Sequence, residues 1–436
     1  MRPLTTNEDF RLHFWLRVRE FAVPPSMIES ATTRRVVGDW AGACVAARFD
    51  VDLNPRAVAR VHGSELATRV RADLRHLAPD LLRWHFPRIS PDGLLRPGLT
   101  VSLARYRSPT GDLVHLVART PPAWASAGQR ISLALWESSR PTAGAGAHPH
   151  PHPDRRFRLD LHRHLWDARR ASELGERSGA RRPSVADPLA GEQVPAGVPA
   201  STVHRWAAEA ALLLRADECA DRVVMVRLSS QRRLVLNLLP DNRVTVTQPR
   251  SPSCSQTVLP DAATWGPPDL ELLRAGLIDA GRLHPLVAAA LQPDNQPQSR
   301  RPTSSGKTHL VACRGATHRV GVVNGVLAPL DHDPDEIRRE ELLFALGGPT
   351  VPCLRAIDEA HRHPETLVDI QAQLDHGDTA GAVAAVEDLL GPEVLLRDGA
   401  LRDELEKAAR RQVLHGLYRA GLACLGPAPA SRPTSR

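Results

Sequence analysis

Several residues of this 436-residue chain are of types that do chemistry, and their spacing decides which chemistry is open to them. His148, His150 and His152 alternate with prolines, and His162 and His164 follow close behind, a density of imidazoles that suits a soft divalent metal. A His-Pro alternation favours polyproline II, however, which points successive side chains in different directions and offers no fixed tetrahedral cage. The run is therefore expected to hold no metal. Asp73, His76, Asp80, Trp84 and His85 fall on neighbouring helical turns. A carboxylate beside an imidazole there would serve either acid-base work or a structural hydrogen bond, and the structural pair is the expectation. Six cysteines, at positions 44, 219, 254, 313, 353 and 424, lie far apart with no C-x-x-C pair and read as free thiols.

Two further segments carry motif-like patterns. Pro302-Thr303-Ser304-Ser305-Gly306-Lys307-Thr308, taken with Asp358-Glu359-Ala360-His361, resembles the Walker A and DEAH elements of superfamily 2 helicases. The resemblance implies that Lys307, Thr308 and the loop amides hold phosphates, while Asp358 and Glu359 handle Mg²⁺ and water. The sequence departs from that pattern at Arg301 and Ser304, which stand where the family has small residues and Gly. Context departs as well: 292–301 is polar where a buried strand should precede the loop, and 309–313 reads as a strand where a helix should follow. Asp358 sits in a run with Leu354, Ile357 and His361 on one helical face, so the expectation is coincidence, with no cofactor bound. Asp331-His332-Asp333-Pro334-Asp335 is similar to the start of an EF-hand loop, but Glu336 stands where Gly is required and Leu342 where a bidentate Glu belongs. The same residues read as a helix start, with Asp333 at the N-cap, Pro334 at N1 and Glu336 at N3.

The elements that would position such residues are partly legible. Gly38-Asp39-Trp40-Ala41-Gly42-Ala43 aligns without gaps on Gly377-Asp378-Thr379-Ala380-Gly381-Ala382, and each copy lies between two helical segments. Gly38 and Gly377 suit the left-handed stop of the first helix, Asp39 and Asp378 cap the second, and Ala43 and Ala382 let the two backbones approach. This start resembles the second helix of a tetratricopeptide repeat, which implies helix hairpins of the kind that family uses to bind proteins; no 34-residue period accompanies it. The chain as a whole resembles uncharacterised proteins common in high-GC actinobacteria, a likeness that implies no activity.

The expected fold class is α+β, helical bundles combined with antiparallel β meanders. Residues 1–137 read as a helical bundle followed by a meander, 138–200 as a Pro/Arg/His-rich linker, and 201–330 as an α+β region with two meanders. Residues 331–425 read as an acidic helical domain and 426–436 as a disordered tail. The net charge of +7 is carried almost wholly by Arg, since only Lys307 and Lys407 are lysines. The charge is polarised, with 19 Asp+Glu against 9 Lys+Arg between Asp331 and Arg411. Arg155, Arg156, Arg158, Arg163, Arg169, Arg170, Arg177, Arg181 and Arg182, interleaved with Phe157 and Trp166, could contact phosphates. Acidic neighbours dilute them. No apolar run approaches the roughly 20 residues of a membrane span, and the start of the chain has no apolar leader segment, so a cytoplasmic location is expected. The functional expectation is a non-catalytic intracellular scaffold or adaptor that binds another protein through its helical domains. Sequence-nonspecific nucleic-acid binding through the Arg-rich middle is the second reading, and a degenerate P-loop NTPase the third.

Overall fold

The computed structural model describes residues 7–139, 148–180, 200–229, 232–239, 243–248, 257–264, 266–293, 309–313, 316–323, 326–329, 331–345, 352–354, 367–390 and 399–422. It is an α+β protein of two compact units. The first comprises Met1–Ser126, Arg130–Gln298 and Gly421–Arg436; the second comprises Ser299–Ala420 with the short turn Ala127–Gln129. Lys307, Thr308, Asp358 and Glu359, and the 426–436 tail, lie outside the described residues.

The first unit begins with five helices: α1 (Asn7–Phe21), α2 (Pro25–Val36), α3 (Trp40–Ala46), α4 (Pro55–His76) and α5 (Pro79–His85). Pro24 and Pro25 end α1, because proline cannot supply the next backbone donor, and Pro25 opens α2 at the one place where that donor is not needed. Segments 55–61 and 64–76, separate helices by sequence pattern, form one element bent at Gly63, whose φ of +85° is a conformation glycine adopts freely. These helices cover a sheet of β1 (Phe49–Val51), β2 (Thr100–Arg107), β3 (Leu113–Arg119) and β4 (Ile131–Glu137), ordered β1-β4-β3-β2. The meander β2-β3-β4 is antiparallel, as its Ser108-Pro109-Thr110-Gly111-Asp112 turn requires, but β1 adds to β4 in parallel. A three-residue strand between two helices is too short to show its own period. The core holds Leu74, Leu81, Leu82, Phe86, Leu103, Leu116 and Leu133.

The stretch expected to be a linker is not one where it is described. Phe157, Leu159, Trp166, Ala171 and Leu174 are members of the same core, and α6 (Leu174–Arg177) ends that segment. Ser102 bridges Arg158 in parallel with β2, and the Ala78 amide donates to the Trp166 carbonyl at 2.8 Å. Average composition misleads here because burial is decided side chain by side chain, and five apolar residues suffice to anchor an Arg- and Pro-rich segment.

A second core in this unit is built by α7 (Ala200–Ala216) against the antiparallel meander β5 (Val223–Arg227), β6 (Arg233–Leu238) and β7 (Val244–Thr247). Val203, Trp206, Ala210 and Leu213 recur on one helical face and meet Val224, Val226, Leu236 and Val244. After α8 (Asp261–Thr264), the helices α9 (Pro268–Arg274) and α10 (Pro285–Leu291) return to the first core through Leu272, Ile278, Leu283, Val287 and Ala290.

The second unit starts earlier than the boundary at 330 read from the sequence. Its antiparallel meander β8 (His309–Cys313), β9 (Ala316–Val323) and β10 (Val326–Pro329) belongs with α11 (Pro334–Ala345), α12 (Leu367–Asp375), α13 (Thr379–Leu390) and α14 (Ala400–Arg419). The reason is packing: Cys313 and Cys353 share one apolar cluster with Ile370, Leu374, Ala382, Val386 and Leu401. The 201–330 region is therefore divided between two units.

The repeated Gly-Asp-x-x-Gly-Ala segment adopts one geometry in both places. Gly38 and Gly377 have φ of +82° and +83°. The Asp39 amide donates to the Arg34 carbonyl and Gly38 to Arg35; Asp378 donates to Gln373 and Gly377 to Leu374. This pair of bonds is a Schellman stop. Asp39 Oδ1 then accepts from the Gly42 amide at 2.8 Å and Asp378 Oδ1 from Gly381 at 3.4 Å, capping α3 and α13, while Ala43 and Ala382 are fully buried. No helix among the described residues is long and apolar enough to cross a membrane.

Candidate metal centre

The residues brought together most tightly for chemistry are Cys313, His318, His332 and Cys353, whose four ligand atoms all lie within 4.8 Å of one another. Each is delivered by a separate piece of local structure. In the β8–β9 ladder His318 faces Val311, two residues from Cys313, so both donors project from the same face of the sheet. β10 runs antiparallel to β9 with Pro329 opposite Val320, so the chain leaving β10 travels toward the level of His318 and sets His332 beside it. His318 Nδ1 and His332 Nε2 are 2.6 Å apart. Cys353 comes from the short helical turn 352–354, and it is fully buried, as is Cys313. Among the described residues this is the cluster that could hold a metal.

Burial and the neighbouring Cys313 thiol push the Cys353 thiol up to about 11 in the absence of a cation. A divalent ion reverses that balance, because thiolates bound to it are held deprotonated. Two soft sulfurs and two imidazole nitrogens are a tetrahedral zinc donor set, for which bonds of about 2.3 Å to sulfur and about 2.0–2.1 Å to nitrogen give donor separations of roughly 3.3–3.8 Å. To reach them the imidazole nitrogens must part from 2.6 Å by roughly 0.7 Å, and any separation near the 4.8 Å limit of the cluster must close. A two-iron sulfide cluster with the same ligand types places the cysteine pair and the histidine pair on different irons. Four donors converging on a common point suit one ion.

This centre was not anticipated. The cysteines read from sequence as scattered free thiols; the four among the described residues, Cys44, Cys219, Cys313 and Cys353, form no disulfide, and Cys313 and Cys353 come together in this cluster. The available signal was a Cys and a His bracketing the tight β8–β9 turn, with no C-x-x-C to flag it. The histidines of the His-Pro run are taken up by other contacts. His148 is buried with Nε2 2.9 Å from the Thr120 carbonyl, its Nδ1 accepts from the His150 amide, and His152 stands edge-on to Trp136, which also meets His115. Asp73 accepts from Tyr106 Oη at 2.7 Å and pairs with Arg163, and Asp80 pairs with His284 at 3.0 Å. The Asp-His combination expected within one helical region is thus made across the fold.

Six arginines of the middle region are paired internally, Arg163 with Asp73 among them, whereas Arg155 is exposed. Arg156 pairs with Asp261, Arg158 with Asp160 and Asp217, Arg169 with Asp167, Arg170 with Glu173 and Arg177 with Glu209. Arg181 and Arg182 lie outside the described residues. Phe157 and Trp166, the proposed stacking rings, are core residues. Asp333 does cap α11, its Oδ1 accepting from the Asp335 amide at 2.9 Å.

The first unit carries an acid-sensitive set of histidines. Burial lowers His85 to about 3 and His115 and His148 to about 4, and holds His164 well below its ordinary value. A depressed histidine gives stability that is complete above its unfolded value near 6.5 and is lost as pH falls toward the folded one, because the unfolded chain binds the extra proton. Each contributes a slope of at most about 1.4 kcal/mol per pH unit. All eight tryptophans precede residue 299, so their fluorescence reports this unit. Urea midpoints followed by tryptophan emission should fall steadily from pH 6.5 to 4.5, and less steeply in His85→Leu. A midpoint constant from pH 7.5 to 5 would contradict this assignment.

No family model, curated protein or solved structure shows a significant match to the chain, so what it does is read from the geometry of this centre and the fold that carries it.

Proposed function

We propose that the chain is a non-catalytic protein-binding scaffold whose second unit is folded around one zinc ion held by Cys313, His318, His332 and Cys353. The convergence of these four donors carries the reading. With two cysteines and two histidines the coordination is complete, which is the mark of a structural site; a catalytic zinc keeps a position for water or substrate. The burial of both cysteines points the same way. Protein binding is supported by α14, which buries Leu401 and exposes Val413, Leu414 and Leu417 along its C-terminal half. A cytoplasmic, reducing setting would keep the two thiols available to the metal. The nucleic-acid reading loses support because Arg156, Arg158 and Arg177 are bound to neighbouring carboxylates.

Metal analysis of the full chain, purified in reductant with zinc in the growth medium, tests the reading. One zinc per chain is expected, falling to well under half in Cys313→Ser and in His332→Ala. Wild-type protein free of zinc, and unable to take it up on titration, would overturn it.

A further inference from the structure

His332 has two ring nitrogens in different surroundings. Its Nε2 faces His318 inside the cluster, and its Nδ1 lies 3.6 Å from Glu336 Oε2, with the imidazole itself only 4% exposed. Resting on the zinc reading, we propose that Glu336 is the positioning residue of the centre: it selects the His332 tautomer that presents a lone pair to the metal. An imidazole that binds through Nε2 must carry its proton on Nδ1, and a carboxylate at Nδ1 favours that form while making Nε2 the better donor.

The local sequence explains why the carboxylate is there. Asp333 caps α11, Pro334 opens it, and Glu336 occupies its third position, where the positive end of the helix favours an anion. His332 is the residue just ahead of the cap, so the helix start fixes ligand and carboxylate relative to each other. At 3.6 Å the carboxylate oxygen stands just beyond hydrogen-bond reach of Nδ1. Inserting a metal between the imidazoles requires them to separate, and whatever part His332 takes in that carries its ring away from His318.

As a mere surface ion pair, a contact with 41% of the glutamate exposed would matter little to anything. As an outer partner of a metal ligand, its loss should cost 10- to 100-fold in metal affinity. The two cases separate in a competition titration of the full chain against a chromophoric zinc chelator. Glu336→Ala should bind one zinc per chain 10- to 100-fold more weakly than wild type, with Glu336→Gln between them because its amide oxygen still offers Nδ1 an acceptor. Asp335→Asn, one residue away and exposed, should match wild type. Cobalt(II) bound by Glu336→Ala should keep the absorption of a tetrahedral two-thiolate site, which shows that the ligands themselves are unchanged. Glu336→Ala affinity within twofold of wild type overturns the positioning role and leaves the zinc reading standing. Loss of the tetrahedral cobalt spectrum would show that the change breaks the ligand set itself, and also overturns it. A wild-type chain that binds no zinc removes both.

Discussion

Stripping the metal from the full chain under reducing conditions should unfold the second unit and leave the first intact. Far-ultraviolet circular dichroism should lose helical signal, and proteolysis should open sites between residues 309 and 420. Tryptophan emission should stay constant, since every tryptophan lies in the first unit. The expectation is large because structural zinc in small domains supplies about 10–16 kcal/mol, comparable with or above the 5–15 kcal/mol that holds a typical domain together. Here the two cysteines belong to the apolar cluster that joins α12, α13 and α14 to the meander, so an ion bound by them would share one core with the helical layer. Cys353→Ser should reproduce the effect without chelator. Helical signal and proteolytic protection unchanged by a strong chelator would refute a metal-dependent fold.

The second large effect is expected in the first unit, at a buried ion pair. Arg19 on α1 donates through Nε and Nη2 to the two oxygens of Asp269 on α9, at 2.6 and 2.9 Å, with both side chains almost wholly enclosed. Its Nη1 reaches the Trp84 carbonyl at 2.8 Å, the Trp84 ring nitrogen donates to Asp269, and the guanidinium lies 4.4 Å from the Trp84 ring centre. Asp269→Ala leaves a charged guanidinium enclosed without its counter-ion, which should cost about 3–5 kcal/mol in urea denaturation followed by tryptophan emission. Replacing both partners at once, Arg19→Met with Asp269→Leu, should cost clearly less than the two single changes added together, because no lone charge remains. A loss under about 1 kcal/mol in Asp269→Ala would show that water reaches the pair.

Much of the local architecture was legible in the sequence because its causes are local. Proline and glycine set the ends and the bend of the first helices. The stop at Gly38 and Gly377 and the caps at Asp39 and Asp378 follow from which residues tolerate left-handed backbone and which carry an acceptor two or three residues before an orphan amide. The face of α7 follows from the recurrence of Val203, Trp206, Ala210 and Leu213, and the three meanders from β-type runs and their turns. The tertiary structure decided what depends on pairing between distant segments. Residues 148–180 resemble a linker in average composition, and it is the individual pockets that receive Phe157, Leu159 and Trp166 that make them core. Arg19 finds Asp269 across 250 residues. The candidate metal centre takes one donor from each of four segments, with intervals too irregular to form a motif. Only the β8–β9 register and the path of the chain after β10 set those four atoms around a common point, because a strand pairing fixes directions in space that one-dimensional spacing does not contain.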